Sequence, residues 1–380
     1  MSAILPGATI GILGGGQLGR MTAMAARSLG YRVQVLDPDP SCPARFVVDS
    51  CFSASWDDAH SAADLARGSD VVTLEIEQIP ISTMEAAAHH APVRPSPHVL
   101  EVVQDRVRQK KWLAANGFPV GEFREVCSAQ EMAVAIATFE SDCFIKSARG
   151  GYDGQGQLRI RPNAKESLSG DSAWKALGER PCVAEKALAL EAEVSVLVAR
   201  RPSGESVSYD PALNHHENQI LAWSAIPAEL PESVKKLAQD LGRQLVEQLD
   251  VMGLLVIEMF LLEDGKLLVN ELAPRPHNTY HASERACVTS QFEQCVRAVC
   301  DLPLGDPGVI RPAAIVNLLG DVWLGTDPPA FDRALAVPGV RLHLYEKSIP
   351  RPGRKMGHFS AVGETAKEAI ERVLRAKASL

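Results

Sequence analysis

Long apolar runs, paired cysteine motifs and an excess of positive charge are all missing from this sequence. The longest apolar segment, "GLLVIEMFLL" (253–262), is interrupted by Glu258 and is too short to span a bilayer. The net charge of −8 argues against nucleic-acid or anionic-membrane partners, since both are bound by basic surfaces. The eight cysteines form no Cys-x-x-Cys pair, which is typical of reduced thiols. The N-terminus has no basic region before an apolar one, and we expect a cytoplasmic protein.

The first hundred residues alternate between strand and helix patterns. A buried strand is predicted at 8–13, a helix at 17–29 and a second strand at 31–37, followed by another helix and strand in "ADLARGSDVVTLEIE". This order predicts a doubly wound parallel sheet. The proline-rich segment "APVRPSP" (91–97) marks a boundary, and a basic helix follows it.

Beyond this boundary the pattern changes from crossovers to hairpins. "CFIKSARGGYDGQGQLRI" (143–160) predicts two strands joined by a glycine loop, without a helix. An amphipathic helix is predicted at 231–249 and a long hairpin at 254–272. Short strands and a final helix at 364–377 are expected after residue 310. The fold class is therefore α/β followed by α+β, in two or three domains.

The segment "GILGGGQLGR" has the glycine spacing of a dinucleotide site, Gly14-x-Gly16-x-x-Gly19. Asp37 lies near the position expected for an acid that binds a ribose. Backbone N–H groups at a helix N-terminus bind any phosphate, so the motif by itself leaves the ligand open.

A second glycine loop, "KSARGGYDGQGQ" (146–157), is more specific. Its four glycines give a flexible hairpin whose amides can fold over a polyphosphate, and Lys146 can pair with the phosphate charge. It is not a Walker A motif, because no Gly-Lys-Ser/Thr ends the loop and no helix follows it.

The hairpin at 254–272 carries two acidic residues on one face. If Asp264-Gly265 is a two-residue turn, counting outward places Glu258 opposite Glu271. Two carboxylates about 5 Å apart on an apolar hairpin would repel each other. A divalent cation removes this conflict, and hard oxygen ligands suit Mg²⁺ held against ATP phosphates. Asn270 could share that face only through a twist or a bulge at the end of the strand.

Two later loops are rich in cations and hydrogen-bond donors. They are "RPHNTYH" (275–281) and "RPGRKMGH" (351–358). Such clusters bind small anions such as a phosphomonoester or bicarbonate, which predicts an anionic substrate.

Lys146, the glycine-rich hairpin and the two carboxylates are the parts of an ATP-grasp nucleotide site. With "GGGQLGRM", "DRVRQK", "VNELAPRPHN", "SQFEQCVRAV" and "RPGRKMGH", the sequence resembles the N5-carboxyaminoimidazole ribonucleotide synthetases over nearly its whole length. The resemblance implies a pre-ATP-grasp domain (1–104), an ATP-grasp domain (105–305) and a β-rich C-terminal domain (306–380). The ATP-grasp domain would have a small lid lobe (116–187) and a large lobe (188–305). A homodimer is also implied.

The implied reaction converts ATP, 5-aminoimidazole ribonucleotide and bicarbonate to the N5-carboxylated ribonucleotide, ADP and phosphate. Bicarbonate would attack the γ-phosphate to form carboxyphosphate, which passes its carboxyl group to the exocyclic amine. The cofactors would be ATP and Mg²⁺. The protein would stabilise the transferring phosphoryl group electrostatically, and a closed lid would exclude water.

The resemblance also implies roles for individual residues. The ATP ligands would be Arg106 and Lys146 at the phosphates, the lid residues Gly151, Tyr152, Asp153, Gly154, Gln155, Gly156 and Gln157, the adenine hinge Glu185, Lys186, Ala187 and Leu188, Glu193 at the ribose, and His216 and Asn270. Glu258 and Glu271 would bind Mg²⁺. Bicarbonate or carboxyphosphate would face Arg275, His277 and Asn278, with Tyr152 and Asp153 on the aminoimidazole side. The ribonucleotide would contact Gly16, Gln17 and Leu18, and its phosphate Lys347, Arg354 and Lys355.

The sequence departs from the family pattern at two places. Tyr280 stands where a glycine is usual, and we expect its ring to pack outward. Asn218-Gln219 replaces the usual Asp-Gly before "IL".

Three other functions stay open at this point. Another ATP-grasp ligase, such as a formate-using enzyme or a biotin carboxylase relative, would keep Lys146 and the Glu258/Glu271 pair. A nicotinamide oxidoreductase would use the first glycine motif, but it leaves the second glycine loop and the carboxylate hairpin unexplained. A non-catalytic nucleotide-binding subunit would be distinguished by its lack of turnover.

Overall fold

The computed structural model describes residues 2–139, 141–150, 156–161 and 168–380. The predicted lid residues 151–155 lie outside this range. No helix in the described part is long and apolar enough to cross a membrane.

The N-terminal region forms the parallel sheet that the strand–helix alternation predicts. Its elements are β1 (Thr9–Leu13), α1 (Gln17–Ser28), β2 (Arg32–Asp37), β3 (Ser50–Ser53), α2 (Ala59–Arg67), β4 (Val71–Leu74), α3 (Ile81–Ala88) and α4 (Pro97–Val103). The strand order is β3-β2-β1-β4, with every pair parallel. On one face Ile10 and Ile12 pack with Ala23 and Ala26 of α1. On the other face, α2 and α3 cover the sheet, so both faces are buried, as a doubly wound sheet requires.

A small antiparallel lobe follows. It contains α5 (Arg106–Ala115), β5 (Phe123–Val126), α6 (Ala129–Phe139), β6 (Cys143–Ser147), β7 (Gln157–Ile160), α7 (Gly170–Ala176) and β8 (Cys182–Lys186). The sheet order is β5-β8-β6-β7. Asp105 caps α5 by accepting hydrogen bonds from the Val107 and Arg108 amides, which fixes where that helix begins. The β6–β7 pair confirms the predicted glycine hairpin, with Lys146 opposite Gln157 at its mouth.

The remaining strands share one large sheet. The elements of this part are β9 (Leu190–Arg200), β10 (Ser206–Ser208), β11 (Ala212–Glu217), β12 (Ile220–Ile226), α8 (Glu232–Gln248), β13 (Gly253–Leu262), β14 (Leu267–Ala273), α9 (Ser283–Ala286), α10 (Gln291–Val299), β15 (Ala313–Leu319), α11 (Phe331–Leu335), β16 (Val340–Leu344), β17 (Lys355–Val362) and α12 (Ala366–Lys377). The main path runs β14-β13-β9-β11-β12-β15-β17-β16, and β10 pairs with β9. Because β12 pairs with β15, the C-terminal strands extend the sheet that carries the carboxylate hairpin.

One apolar core joins the three regions. It contains Ile10 of the first sheet, Leu197 and Val256 of the central strands, and Ile315 of the C-terminal strands. This shared core fixes the edges of the sheets around a single cavity.

Candidate active site

A cavity of about 1820 Å³ lies between the parallel sheet, the small lobe and the large sheet. All but one of the predicted site residues that the structure describes line it. These are Gly16, Gln17, Leu18, Arg106, Lys146, Gly156, Gln157, Glu185, Lys186, Leu188, Glu193, His216, Glu258, Asn270, Glu271, Arg275, His277, Asn278, Lys347, Arg354 and Lys355. The exception is Ala187, whose amide donates to the Asp142 carbonyl oxygen (2.9 Å) and which is not part of the lining.

The two acidic residues of the hairpin face each other as predicted, although the predicted turn is wrong. The Leu262 amide donates to the Lys266 carbonyl oxygen, so the loop has three residues, with Gly265 at a φ of 80°. Phe260 then pairs with Leu268, one position away from the predicted register. A bulge restores the register, so that Glu258 lies directly opposite Glu271.

The bulge leaves one extra residue, Asn270, beside the carboxylate pair. Its side-chain oxygen Oδ1 is buried without a hydrogen-bond partner. Burial raises the pKa of Glu258; His216 partly offsets this shift, and the charge of Glu271 adds to it. Two carboxylates and an unpartnered amide oxygen form a hard oxygen set that fits Mg²⁺.

Two further side chains line the cavity beside this pair. The imidazole of His216 contacts the Glu193 carboxylate, with 2.6 Å between Nδ1 and Oε2. Burial lowers the pKa of His216, but the hydrogen bond to Glu193 and the charge of Glu258 outweigh it and raise the pKa overall. The Arg106 guanidinium lies 3.5 Å from Glu271 Oε1 and donates to the Ser147 carbonyl oxygen.

A buried ion triad lies at the small-lobe side of the cavity. The Glu185 carboxylate contacts Lys146 Nζ at 2.5 Å and Lys110 Nζ at 2.8 Å. Burial raises the pKa of Glu185, but the two lysines outweigh it and bring the pKa down to about 2. Burial lowers the pKa of Lys110. The pairing of β6 with β8 and the packing of α5 beside them bring these three charges together.

The loop after β14 presents an arginine, a histidine and an asparagine to the cavity. Arg275 Nε lies 2.8 Å from Glu77 Oε1, which orients the guanidinium. The side-chain amide of Gln291 fixes the backbone of His277 through two hydrogen bonds. Its Oε1 accepts from the His277 N–H, and its Nε2 donates to the His277 carbonyl oxygen. Burial lowers the pKa of His277 well below its usual value, and the charges of Arg275 and Lys355 lower it further. Both polar atoms of the Asn278 side-chain amide are buried without a partner.

Tyr280 does not line this cavity. The prediction that its ring packs outward is wrong. Its side chain is fully buried in the core. Its hydroxyl lies 2.9 Å from the carbonyl oxygens of Ser195 and Asp210, and its ring meets Tyr209 edge-on. A core that accepts an aromatic ring here explains how the sequence tolerates the loss of glycine.

The first glycine motif does not offer its amides to a phosphate. The Glu75 carboxylate accepts hydrogen bonds from the Gly16 and Gly19 amides, both at 2.9 Å. The Asp37 carboxylate accepts from the Gly15 amide at 2.7 Å. A Cβ on Gly16 would lie 2.6 Å from Glu75 Oε1, so the glycine makes room for an acidic side chain. This arrangement excludes a pyrophosphate on these amides, and the dinucleotide alternative is wrong.

Sequence analysis did not identify four residues that lie around the cavity. Glu75 and Glu77 follow β4. Because the carboxyl ends of parallel strands meet at one edge of the sheet, the segment "TLEIE" could have been predicted to lie beside the glycine turn that follows β1. Lys110 lies one helical turn after Arg106, on the same face of α5. Gln291 begins α10, and nothing in its local pattern indicates that it holds His277.

Comparisons with known proteins agree with this architecture. Residues 7–104 match the ribonucleotide synthetase preATP-grasp domain, 111–292 the ATP-grasp domain, and 313–372 the phosphoribosylaminoimidazole carboxylase C-terminal domain. The N5-carboxyaminoimidazole ribonucleotide synthase of Bacillus subtilis (strain 168) is 38% identical over 371 residues, covering 97% of this chain and 95% of the relative.

Solved structures extend the similarity to three dimensions. The ADP complex of an N5-carboxyaminoimidazole ribonucleotide synthetase superposes with a TM-score of 0.93 at 39% identity, covering 99% of this chain and 98% of that one. The N5-carboxyaminoimidazole synthase of Aspergillus clavatus, in complex with ADP and 5-aminoimidazole ribonucleotide, has a TM-score of 0.86 at 30% identity, with 98% of each chain covered. The chain therefore belongs to the N5-carboxyaminoimidazole ribonucleotide synthase family of ATP-grasp ligases.

Proposed function

We propose that this protein carboxylates 5-aminoimidazole ribonucleotide at its exocyclic amine, using ATP and bicarbonate and releasing ADP and phosphate. One observation carries the proposal. A single cavity is lined by the facing carboxylate pair, a lysine on a glycine hairpin and two separate loops that carry cationic side chains. A nucleotide with its cation, a small anion and a phosphorylated acceptor require these three kinds of subsite.

ATP would lie between the small lobe and the β13–β14 hairpin. Lys146 and Arg106 would contact its phosphates, and Glu193 its ribose hydroxyls. Lys186 and Leu188 follow Glu185 at the hinge and would face the adenine. Lys146 is ion-paired with Glu185, so nucleotide binding would draw its ammonium toward the phosphates while Lys110 keeps the carboxylate neutralised.

Mg²⁺ would be held by Glu258 and Glu271, with Asn270 beside them. The ion would supply positive charge against the ATP phosphates. Arg106, close to Glu271, would place a second positive charge on the transferring phosphoryl group.

The bicarbonate subsite would be formed by Arg275, His277 and Asn278. The depressed pKa of His277 keeps its imidazole neutral at physiological pH, so it acts through hydrogen bonds and leaves the positive charge to Arg275. The Asn278 amide offers an unused donor and an unused acceptor. Bicarbonate held there would attack the γ-phosphate, and the carboxyphosphate formed would pass its carboxyl group to the amine.

The ribonucleotide would enter from the side of the parallel sheet and the C-terminal strands. Gly16, Gln17 and Leu18 would contact its sugar and base, and Tyr152 and Asp153 would approach from the lid. The cations at 347, 354 and 355 would bind its phosphate. Since Glu75 occupies the glycine amides, the phosphate is left to these side chains.

The expected assembly is a homodimer in the cytoplasm, with small-molecule partners and neither nucleic acid nor membrane. Val288 and Ile310 lie on adjacent antiparallel segments with 56% and 70% of their surface exposed. This apolar pair gives the dimer a candidate contact. Light scattering of the Ile310→Glu variant should report a lower mass than the wild type if the contact holds, and an unchanged dimer would place the interface elsewhere.

The test of the proposed function is ADP release by the purified protein with Mg·ATP and bicarbonate, with and without 5-aminoimidazole ribonucleotide. Release that depends on the ribonucleotide supports the carboxylase. Turnover with formate or another acid, and no response to the ribonucleotide, would keep the ATP-grasp chemistry and change the substrate. No turnover under any condition would favour a binding subunit.

A further inference from the structure

Two histidines and a glutamate form a cluster outside the nucleotide cavity. One ligand-type atom from each of Glu284, His343 and His358 lies within 4.8 Å of the other two. None of the three residues lines the cavity. We propose that this cluster binds a divalent transition-metal ion, with Zn²⁺ the best match to its ligands. The ion would stabilise the fold through three protein ligands, and the site does not depend on the nucleotide chemistry proposed above.

The backbone places the two histidines for joint coordination. His343 on β16 is directly opposite His358 on β17, so their side chains share one face of the sheet. Their rings are stacked, with centroids 5.2 Å apart and planes 15° from parallel, so both imidazoles would have to turn about their Cβ–Cγ bonds to point a nitrogen at one ion. Glu284 comes from α9, which packs against β17 from the large-lobe side. An ion there would connect α9 to the C-terminal hairpin.

The residues behind the cluster resemble the outer shell of a metal site. The Tyr345 hydroxyl lies 2.8 Å from Nδ1 of His358, so Nε2 is the ring nitrogen left to bind an ion. His281 stacks on His358 at 5.0 Å, and its own Nε2 is buried without a hydrogen-bond partner. A buried ring nitrogen without a partner is costly in a folded protein. A metal-bound water would give this nitrogen a partner.

The donor chemistry favours zinc over magnesium. Two imidazole nitrogens and one carboxylate oxygen, with a position left for water, are a common zinc set, whereas Mg²⁺ prefers oxygen ligands alone. The positive charges of Arg285 and Arg341 act on the Glu284 carboxylate and would repel a cation bound there. We therefore expect weaker binding than at a site built from four thiolates.

The ion would stabilise the two elements that carry the anion-binding loops. α9 begins five residues after Asn278, and Lys355 begins β17 three residues before His358. A ligand that binds only the folded state adds RT ln(1 + [L]/Kd) to the free energy of unfolding, so the melting temperature rises with ligand concentration.

The test uses the full-length protein, freed of metal by chelation and then titrated with Zn²⁺ in excess Mg²⁺. Calorimetry and elemental analysis should give one zinc per chain and a higher melting temperature. Glu284→Gln, at an exposed position, and His343→Gln should each weaken zinc binding at least about tenfold. His98→Gln, at an exposed histidine elsewhere, and Glu271→Gln, at the predicted magnesium ligands, should keep it.

Two results would overturn the proposal. One is a wild-type protein that binds no zinc under these conditions. The other is zinc binding of equal affinity in the Glu284→Gln, His343→Gln and His98→Gln variants, each checked for native secondary structure by circular dichroism. Loss of zinc only in Glu271→Gln would assign the ion to the hairpin carboxylates and would equally contradict the cluster.

Discussion

At the scale of single residues, the acidic side chains of the cavity differ in what neutralises them. Glu185 is held by two lysines, whereas Glu258 faces another carboxylate. The two lysines outweigh burial and lower the pKa of Glu185, whereas burial raises the pKa of Glu258 and the charge of Glu271 adds to that rise. Glu185 is therefore neutralised by the protein alone, whereas the Glu258/Glu271 pair is the place for the Mg²⁺ proposed above.

Replacing Glu271 by alanine tests the metal assignment. The side chain is 43% exposed, so its loss leaves no core cavity and the fold should persist. Turnover of Mg·ATP should fall by more than about a hundredfold, as when other electrostatic groups are removed from active sites. The matched control is Glu263→Ala, at an exposed position on the same hairpin. A folded Glu271→Ala variant with near-normal kcat would refute the assignment.

Replacing Lys355 by alanine tests the proposed phosphate site. Loss of a charge-assisted hydrogen bond should raise the KM for 5-aminoimidazole ribonucleotide by about tenfold or more. The KM for ATP should change far less, and Lys266→Ala, in the exposed hairpin loop, should change neither. Steady-state kinetics with each substrate varied in turn measures both constants. An unchanged ribonucleotide KM would count against this placement.

Replacing Glu185 by glutamine should destabilise the protein without nucleotide. The change leaves Lys110 and Lys146 buried together without their counter-charge, which costs about 3 kcal/mol. The control is Glu122→Gln. Its exposed pair with Lys186, at 3.6 Å, should contribute less than about 1 kcal/mol. Urea unfolding at pH 7 measures the free energy of unfolding of both variants. An equal decrease in the two variants would show that the triad contributes no more than a surface pair.

The same carboxylate predicts a pH dependence of stability. The pKa of Glu185 is about 2 in the folded protein and 4.5 ordinarily. A depressed pKa stabilises the folded state above pH 4.5, and this stabilisation is lost as the pH falls toward 2. The difference in free energy of unfolding between wild type and Glu185→Gln should therefore be smaller at pH 3 than at pH 7. An equal difference at both pH values would contradict the assigned pKa.

At the scale of elements, the carboxylate hairpin shows what alternation can and cannot predict. The facing pair followed from counting, yet the true path has a longer loop and a compensating bulge at Asn270. Alternation predicts which side chains share a face, but a bulge arises from packing and close contacts that no local pattern contains. A two-residue turn without the bulge would have left Asn270 facing away from the site.

The two residues of the β11–β12 turn have an unfavourable backbone conformation for their residue types. Asn218 and Gln219 both have positive φ, 49° and 68°, in a two-residue turn where glycine or asparagine is preferred. Gln219→Gly should therefore raise the free energy of unfolding by about 1 kcal/mol. Gln219→Ala keeps the Cβ and should give no such gain. Urea unfolding of both variants measures the effect, and a glycine variant no more stable than wild type would contradict it.

At the scale of the whole molecule, local signals predicted the parallel sheet, the glycine hairpin, the facing carboxylates and the cationic loops. The kinds of domain and most of the other cavity residues followed only from the family resemblance. The sequence did not predict that Glu75 occupies the first glycine turn or that Lys110 joins Lys146 and Glu185. Those contacts join residues that are distant in the chain, 56 residues apart for Gly19 and Glu75. They depend on how the sheets are placed against one another, and the shared core determines that placement.

The central claim is that bicarbonate is activated by the γ-phosphate of ATP in this cavity. The most direct test is to supply ¹⁸O-labelled bicarbonate with Mg·ATP and 5-aminoimidazole ribonucleotide and to analyse the inorganic phosphate by mass spectrometry. Attack of a bicarbonate oxygen on the γ-phosphate predicts phosphate that carries one ¹⁸O, formed in step with the carboxylated ribonucleotide. Phosphate that takes its new oxygen from water instead would contradict the account.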